Sequence, residues 1–239
     1  RIESALGTAF PSARIARLDR DTGAGLKSER VLSKMHTGEV DILVGTQMVT
    51  KGHDLPGVTL VGVLLADQSL SFPDFRASER TFQLLAQVAG RAGRGDRPGR
   101  VVLQTYQPSH FAVRHALSHD YVGFFREEIR ERRELSYVPH SRLCAVRADA
   151  GDEALVRRVI EQLAQVARGT PAVRAGAVGV LGPAPAPVAR IRGRFRYRFL
   201  LRAQQREALR TVAQAVVARI QEGVAPARAH LDVDPVSML

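Results

Sequence analysis

Three side chains in this 239-residue chain have the spacing to act together on one anion. In Gln87-Val88-Ala89-Gly90-Arg91-Ala92-Gly93-Arg94, Gln87 and Arg91 are four apart and Arg91 and Arg94 three apart. On the last turns of a helix the three crowd one face. Two guanidiniums aimed the same way repel each other unless something anionic sits between them. Gly90 and Gly93 lower helix propensity and let a ligand or another backbone come close. Taken alone, the octapeptide also describes a solvated, fraying helix end. Its surroundings decide.

Two further stretches carry chemistry. Asp41 to Pro56 reads Asp-Ile-Leu-Val-Gly-Thr-Gln-Met-Val-Thr-Lys-Gly-His-Asp-Leu-Pro: a strand that delivers Thr46 at its tip, then a tight Lys51-Gly52-His53-Asp54 loop. By itself this also fits an ordinary βα turn. Arg190–Leu201 reads Arg-Ile-Arg-Gly-Arg-Phe-Arg-Tyr-Arg-Phe-Leu-Leu. As one strand it puts Arg190, Arg192, Arg194, Arg196 and Arg198 on one face and Ile191, Phe195, Tyr197 and Phe199 on the other. Five adjacent guanidiniums repel unless phosphates intervene, as a nucleic-acid strand would supply. The aromatic side fits a packed core better than base stacking.

The elements that position these residues follow from hydrophobic pattern. Ala13–Leu18, Val40–Thr46, Val58–Leu65 and Gly99–Tyr106 read as strands. Gly25–His36 and a run from Ser78 to the glycines read as helices. Such alternation predicts a parallel sheet covered by helices on both faces, with functional loops at the strand carboxyl ends. Helical pattern resumes over Phe111–Leu117 and Tyr121–Leu135. With a boundary near Ser136, residues 1–135 and 136–239 form two domains. The second reads as a strand (Leu143–Ala148), a helix capped by Asp152, a strand ending at Leu181, a long strand through Arg190–Arg202, a helix (Arg206–Glu222) and a strand (Ala229–Val233). That βαββαβ order is the ferredoxin-like fold, so the class is α/β plus α+β.

Composition sets the outer bounds. Net charge is +11, and of 35 basic residues all but Lys27, Lys34 and Lys51 are arginine. Eight arginines and one acid, Glu207, lie between Arg190 and Arg210, a stripe whose natural partner is a polyanion. The longest largely apolar run, Val58–Ala66, falls well short of the roughly 20 residues that span a bilayer, so no membrane role is expected. One cysteine, Cys144, excludes an internal disulfide and reads as a buried small hydrophobe. His115 and His119 suit a surface pair better than a metal site, and no metal ligand set is expected. Asp232 and Asp234 read as structural. The chain opens on Arg1 rather than Met, as expected of a piece of a longer protein.

The Asp41–Pro56 and Gln87–Arg94 stretches resemble motifs V and VI of superfamily 2 helicases. The match extends through Asp19-Arg20-Asp21-Thr22, Gly45-Thr46-Gln47-Met48, Ala66-Asp67-Gln68, Asp74-Phe75-Arg76 and Glu79-Arg80-Thr81-Phe82-Gln83-Leu84-Leu85. It continues in Leu181-Gly182-Pro183-Ala184-Pro185 and Leu231-Asp232-Val233-Asp234-Pro235. Together these resemble the C-terminal half of the PriA family, bacterial primosomal replication-restart helicases.

The resemblance implies a second RecA-like lobe followed by a domain similar in fold to a small-subunit ribosomal protein. It implies ATP with Mg bound between two lobes, with Gln87, Arg91 and Arg94 contacting the γ-phosphate. Asp54, beside Gly52, would meet the nucleotide or couple its state to DNA. Thr46, Gln47, Lys51 and Gly52 would face the DNA backbone, where hydroxyl, amide and backbone N–H suit phosphate oxygens. Implied partners are branched and single-stranded DNA, single-strand-binding protein and the primosome's helicase-loading proteins, in a bacterial cytoplasm near the nucleoid. The 239 residues hold no phosphate loop, no Asp-Glu carboxylate motif and none of the family's zinc module. This chain is therefore expected to complete an ATP site rather than constitute one. Leu65 stands where the family usually has an acid, which bears on coupling at that strand end. A non-catalytic DNA-binding scaffold that recruits a helicase loader, or an RNA-binding module, are the alternative readings.

Overall fold

The computed structural model describes residues 1–18, 26–46, 57–90 and 98–238, without the side chains of Leu26 and Lys27. The chain divides into two compact units, Arg1–Ser69 with Glu79–Phe124 and Leu70–Ser78 with Phe125–Leu239.

The first unit contains α1 (Ile2–Ala9), β1 (Ile15–Leu18), α2 (Leu26–His36), β2 (Ile42–Gly45) and β3 (Leu60–Val63). After a 3-10 turn at Gln68–Ser71 come α3 (Ala77–Ala89), which starts at the end of the segment assigned to the other unit, β4 (Arg100–Leu103) and α4 (Phe111–Leu117). β1 pairs with β2 and β3 with β4, both in parallel, with Ile15 opposite Ile42 and Leu60 opposite Arg100. Each pair brackets one helix, because parallel neighbours need a crossover that a tight turn cannot make. The expected β–α alternation is what forms.

Burial alternates along β3 and β4. Successive side chains point to opposite faces. Val63 and Leu103 pack on the cluster of Ala66, Phe82, Leu85, Phe111, Val113 and Phe124, whereas Leu60 is 62% exposed and Val102 48%. Among the described residues only one face is covered. The rings of Phe82 and Phe124 stack with centroids 4.1 Å apart and hold α3 within that cluster.

The second unit takes its fold from α5 (Tyr121–Glu134), of which residues from Phe125 onward belong to it, and β5 (Arg142–Ala150), α6 (Glu153–Gly169) and the short α7 (Pro171–Arg174). β6 (Val178–Ile191), β7 (Arg194–Ala203), α8 (Arg206–Gln221) and β8 (Arg228–Val233) complete it. The sheet order is β6-β7-β5-β8 and every pairing is antiparallel, which is the ferredoxin-like arrangement. Asp152 caps α6 by accepting the Leu155 N–H at 3.0 Å, as its position predicts. Along α6, Val156, Val159, Ile160, Leu163, Ala164 and Ala167 are buried, the three-and-four spacing of one helix face. With Leu209, Val212 and Val216 of α8 they cover Cys144, Val146, Phe199 and Leu201 of the sheet.

Strand β6 is an edge, and there it tolerates Pro183, Pro185 and Pro187, whose missing N–H groups would break a central ladder. Its pairing with β7 shifts register between Leu181 and Ala184 and again between Pro185 and Arg190. Gly182 sits at the first shift with φ +102°, and a Cβ there would come within 3.2 Å of the Arg198 carbonyl. That position requires glycine.

Candidate functional site

The arginine-rich stretch is not one strand. It is a hairpin: β6 ends at Ile191, Arg192 and Gly193 form a two-residue turn with φ +49° and +78°, and β7 begins at Arg194. Two consecutive left-handed residues fit the hairpin turn that matches strand twist, and Gly193 is the residue that permits it. The consequence overturns the expected single face of five arginines. Arg190 pairs with Phe195 across the hairpin, with its guanidinium 4.8 Å from the Phe195 ring centroid, so it lies on the helix side of the sheet. Arg192 is exposed at the turn. Only Arg194, Arg196 and Arg198 share a face.

That face gathers charge from other strands instead. Arg147 of β5 lies opposite Arg198, Asp149 opposite Arg196, and Leu143 opposite Arg202. From β8, His230 lies opposite Arg147, Arg228 opposite Asp149, and Asp232 opposite Ala145. Arg147, Arg194, Arg196, Arg198, Arg202 and Arg228 thus share the sheet face away from α6 and α8 with two carboxylates, Asp149 and Asp232. The sequence reading missed Arg147, Arg202 and Arg228. Alternation within β5 and β8 carried the signal, but it takes the sheet register to put those residues beside β7.

The guanidiniums differ in their partners. Arg194 pairs with the Asp149 carboxylate and donates to the Asp149 carbonyl at 2.9 Å. Arg202 donates to the Leu135 carbonyl at 3.0 Å. Arg196 makes one long contact, 3.4 Å to the Val188 carbonyl. Arg198 donates to the Met238 carbonyl, and burial, followed by the charge of Arg147, lowers its pKa. On the opposite face Phe199 is fully buried, Phe195 packs on the core, and the Tyr197 hydroxyl donates to Glu153 at 2.9 Å. The aromatics are core, as the pattern favoured.

Of the residues expected to meet nucleotide, the structure describes Gln87. It is exposed on the last turn of α3, and beyond it a Cβ added to Gly90 would meet nothing nearer than the helix carbonyl of Ala86 at 3.5 Å. Arg91, Arg94, Gly52 and Asp54 lie outside the described residues. Of the expected backbone-facing loop, Thr46 is exposed just past β2, and Gln47 and Lys51 lie outside the described residues. An amide and two guanidiniums suit phosphate oxygens.

The reading of His115 and His119 as a pair changes. His119 is not on a helix with His115: α4 ends at Leu117, and His119 has φ +52°. His115 instead meets Asp120, Nδ1 to Oδ2 at 3.2 Å. Among the described residues no His, Cys, Asp and Glu cluster could hold a metal. Cys144 is buried, which raises its thiol to about 11 and keeps it protonated. Asp232 lies 3.5 Å from Arg147. At the Leu65 strand end the local acid is Asp67, 5% exposed, whose Oδ2 accepts the Tyr106 N–H at 3.0 Å.

Comparison with known proteins defines the class first. Residues 4–96 match the helicase conserved C-terminal domain, and residues 133–236 match the primosomal protein N C-terminal domain. The chain belongs to the PriA family, of which it carries these two C-terminal domains in order. It is 39% identical over 236 residues to the replication restart protein PriA of Bacillus subtilis, covering 98% of this chain and 29% of that protein. Against the PriA of Synechocystis it is 39% identical over 241 residues, covering 100% of this chain and 28% of the relative. Against that of Chlamydia trachomatis it is 47% identical over 144 residues, covering 60% and 19%. The chain therefore spans less than a third of the length of these relatives. Among solved structures, a de novo designed protein matches 41% of the chain at 12% identity with a TM-score of 0.32, too low to inform the fold.

Proposed function

We propose that this chain is the part of a replication-restart DNA helicase that completes its ATP site and holds the DNA backbone at stalled or branched forks. The observation that carries the DNA part is the sheet face with six arginines and two carboxylates, which is an electrostatic footprint for a polyanion. The division falls near Ser136: residues 1–135 act as the second helicase lobe and 136–239 as the DNA-binding domain.

In this reading Gln87, Arg91 and Arg94 hold the γ-phosphate, and Asp54 with Gly52 meets the nucleotide. The magnesium nucleotide supplies the phosphoryl group. Stabilising charge on that group is the contribution of Arg91 and Arg94, worth about 10³–10⁵ in rate in the best cases. Thr46, Gln47 and Lys51 bind DNA phosphates. Arg192 at the hairpin turn and Arg194, Arg196 and Arg198 on the sheet face add contacts from the second domain, with Arg192 and Arg196 the least engaged among them. Single-strand-binding protein and helicase-loading proteins are the partners, in the bacterial cytoplasm.

Anisotropy titration of labelled fork DNA with this chain tests the reading. Replacing Arg192 and Arg196 by Ala should weaken binding about tenfold and flatten the salt dependence by about two phosphates. Equal affinity at every salt concentration would remove the DNA role. In a longer protein with a phosphate-binding lobe, Arg91→Ala should abolish ATP turnover and leave DNA binding intact. Unchanged turnover would sink the nucleotide assignment.

A further inference from the structure

The arginine face and the last described residues of the chain share partners. After β8 the chain turns at Asp234, whose φ is +48° and whose N–H donates to the Leu143 carbonyl at 2.9 Å. Pro235–Met238 then lies on the arginine face of the sheet. Arg147 Nη2 donates to the Ser237 carbonyl and Arg198 Nη1 to the Met238 carbonyl. The tail is held from its other side by the segment before α3: Asp74 Oδ2 accepts the Met238 N–H at 3.1 Å, and Arg76 donates to the Pro235 carbonyl. Met238 is 3% exposed.

Carbonyls are a weak match for these two guanidiniums. Arg147 and Arg198 stand directly opposite each other in the β5–β7 register, where like charges destabilise a sheet. Burial and then the charge of Arg147 disfavour the charged form of Arg198, outweighing the opposing charge of Asp74. The carboxylate paired with Arg147, Asp232, is 3.5 Å away, and Arg147 Nε is buried with no hydrogen-bond partner. A carbonyl supplies a partial charge, whereas a phosphodiester supplies a full one on two free oxygens. The phosphodiester therefore adds a direct attraction between full charges that a neutral carbonyl does not supply.

We propose that Arg147 and Arg198 form a phosphodiester-binding site that Pro235–Met238 fills when no DNA is bound, so that the DNA backbone and the tail exclude one another. The inference rests on the DNA-binding reading above and adds to it a residue, Arg147, and an internal competitor. Asp74 and Arg76 set how tightly the competitor is held.

The test is anisotropy titration of a labelled oligothymidylate with the intact chain, with a chain ending at Asp234, and with Arg76→Ala. Removing the tail should tighten binding about five- to tenfold and steepen the salt dependence by one to two phosphates. Arg76→Ala should act in the same direction and more weakly. Circular dichroism establishes that each variant is folded; if the shortened chain is not, Arg76→Ala decides. Folded variants that bind no more tightly than the intact chain overturn the inference while leaving the DNA reading standing. If no form binds the oligonucleotide even at low salt, the DNA reading fails, and this inference with it.

Discussion

The guanidinium of Arg190 lies 4.8 Å from the ring centroid of Phe195, on the helix side of the second unit's sheet. Arg194, four residues later, lies on the opposite side and pairs with Asp149. The two-residue turn between them reassigns which arginines act together. A run that reads as one stripe supplies three side chains to the face, and β5, β8 and the end of β7 supply the rest.

The turn itself is adjustable. Arg192 holds φ +49° without being glycine, asparagine or aspartate. Arg192→Asn gives the Asn-Gly pair that this hairpin turn prefers, so it should raise stability by about 0.5 kcal/mol. Urea melting checks the gain. The same variant should bind fork DNA more weakly, because an exposed arginine is lost.

Gly123 packs where a side chain does not fit. A Cβ there would come within 2.1 Å of Asp120 Oδ2 and 2.5 Å of His115 Cε1. Asp120 Oδ1 accepts the Gly123 N–H at 2.8 Å at the start of α5. The carboxylate can swing aside only by giving up that bond and the His115 contact. Gly123→Ala should therefore cost about 1–2 kcal/mol, the usual loss of a helix cap, measured by thermal or urea unfolding.

Ile160 of α6 is fully buried in the second unit's core. Ile160→Ala should destabilise by about 2–5 kcal/mol through lost burial and an unfilled cavity. Arg157, exposed on the same helix, should change stability by less than about 0.5 kcal/mol when replaced by Ala. Equal effects at the two positions would contradict the assignment of the buried face.

Arg14 meets Asp41 twice, Nη2 to Oδ1 at 2.7 Å and Nε to Oδ2 at 2.9 Å, and together with its own backbone N–H holds the Asp41 carboxyl at about 2. A carboxyl held below its unfolded value stabilises above that value, about 4, and loses the contribution as pH falls through the folded one. The protection factors of the β1–β2 amides, that is, exchange relative to an unprotected amide at the same pH, should hold down to about pH 4 and fall between about pH 4 and 2. Asp41→Asn should flatten that dependence.

Much of the fold was legible because its signals are local. The three-and-four spacing of Val156, Val159, Ile160 and Leu163 marks one helix face wherever that helix packs. Asp152 announces the start of α6 by its side chain alone. The turn at Arg192-Gly193 was harder to see, because alternating Arg and aromatic residues continue across it and mask the break. α1 also went unread from the sequence.

The sequence by itself determined the order of the strands and of most helices, the family motifs and the concentration of arginine near Arg190–Arg210. These depend on residue type and short spacing. Tertiary structure decided which guanidiniums face one another. It moved Arg190 to the helix side, brought Arg147 opposite Arg198, and laid the Ser237 and Met238 carbonyls on that pair. For the last two the physical reason is that strand register and the path of the tail follow from contacts between residues 40 to 90 positions apart in the chain. No local periodicity encodes them.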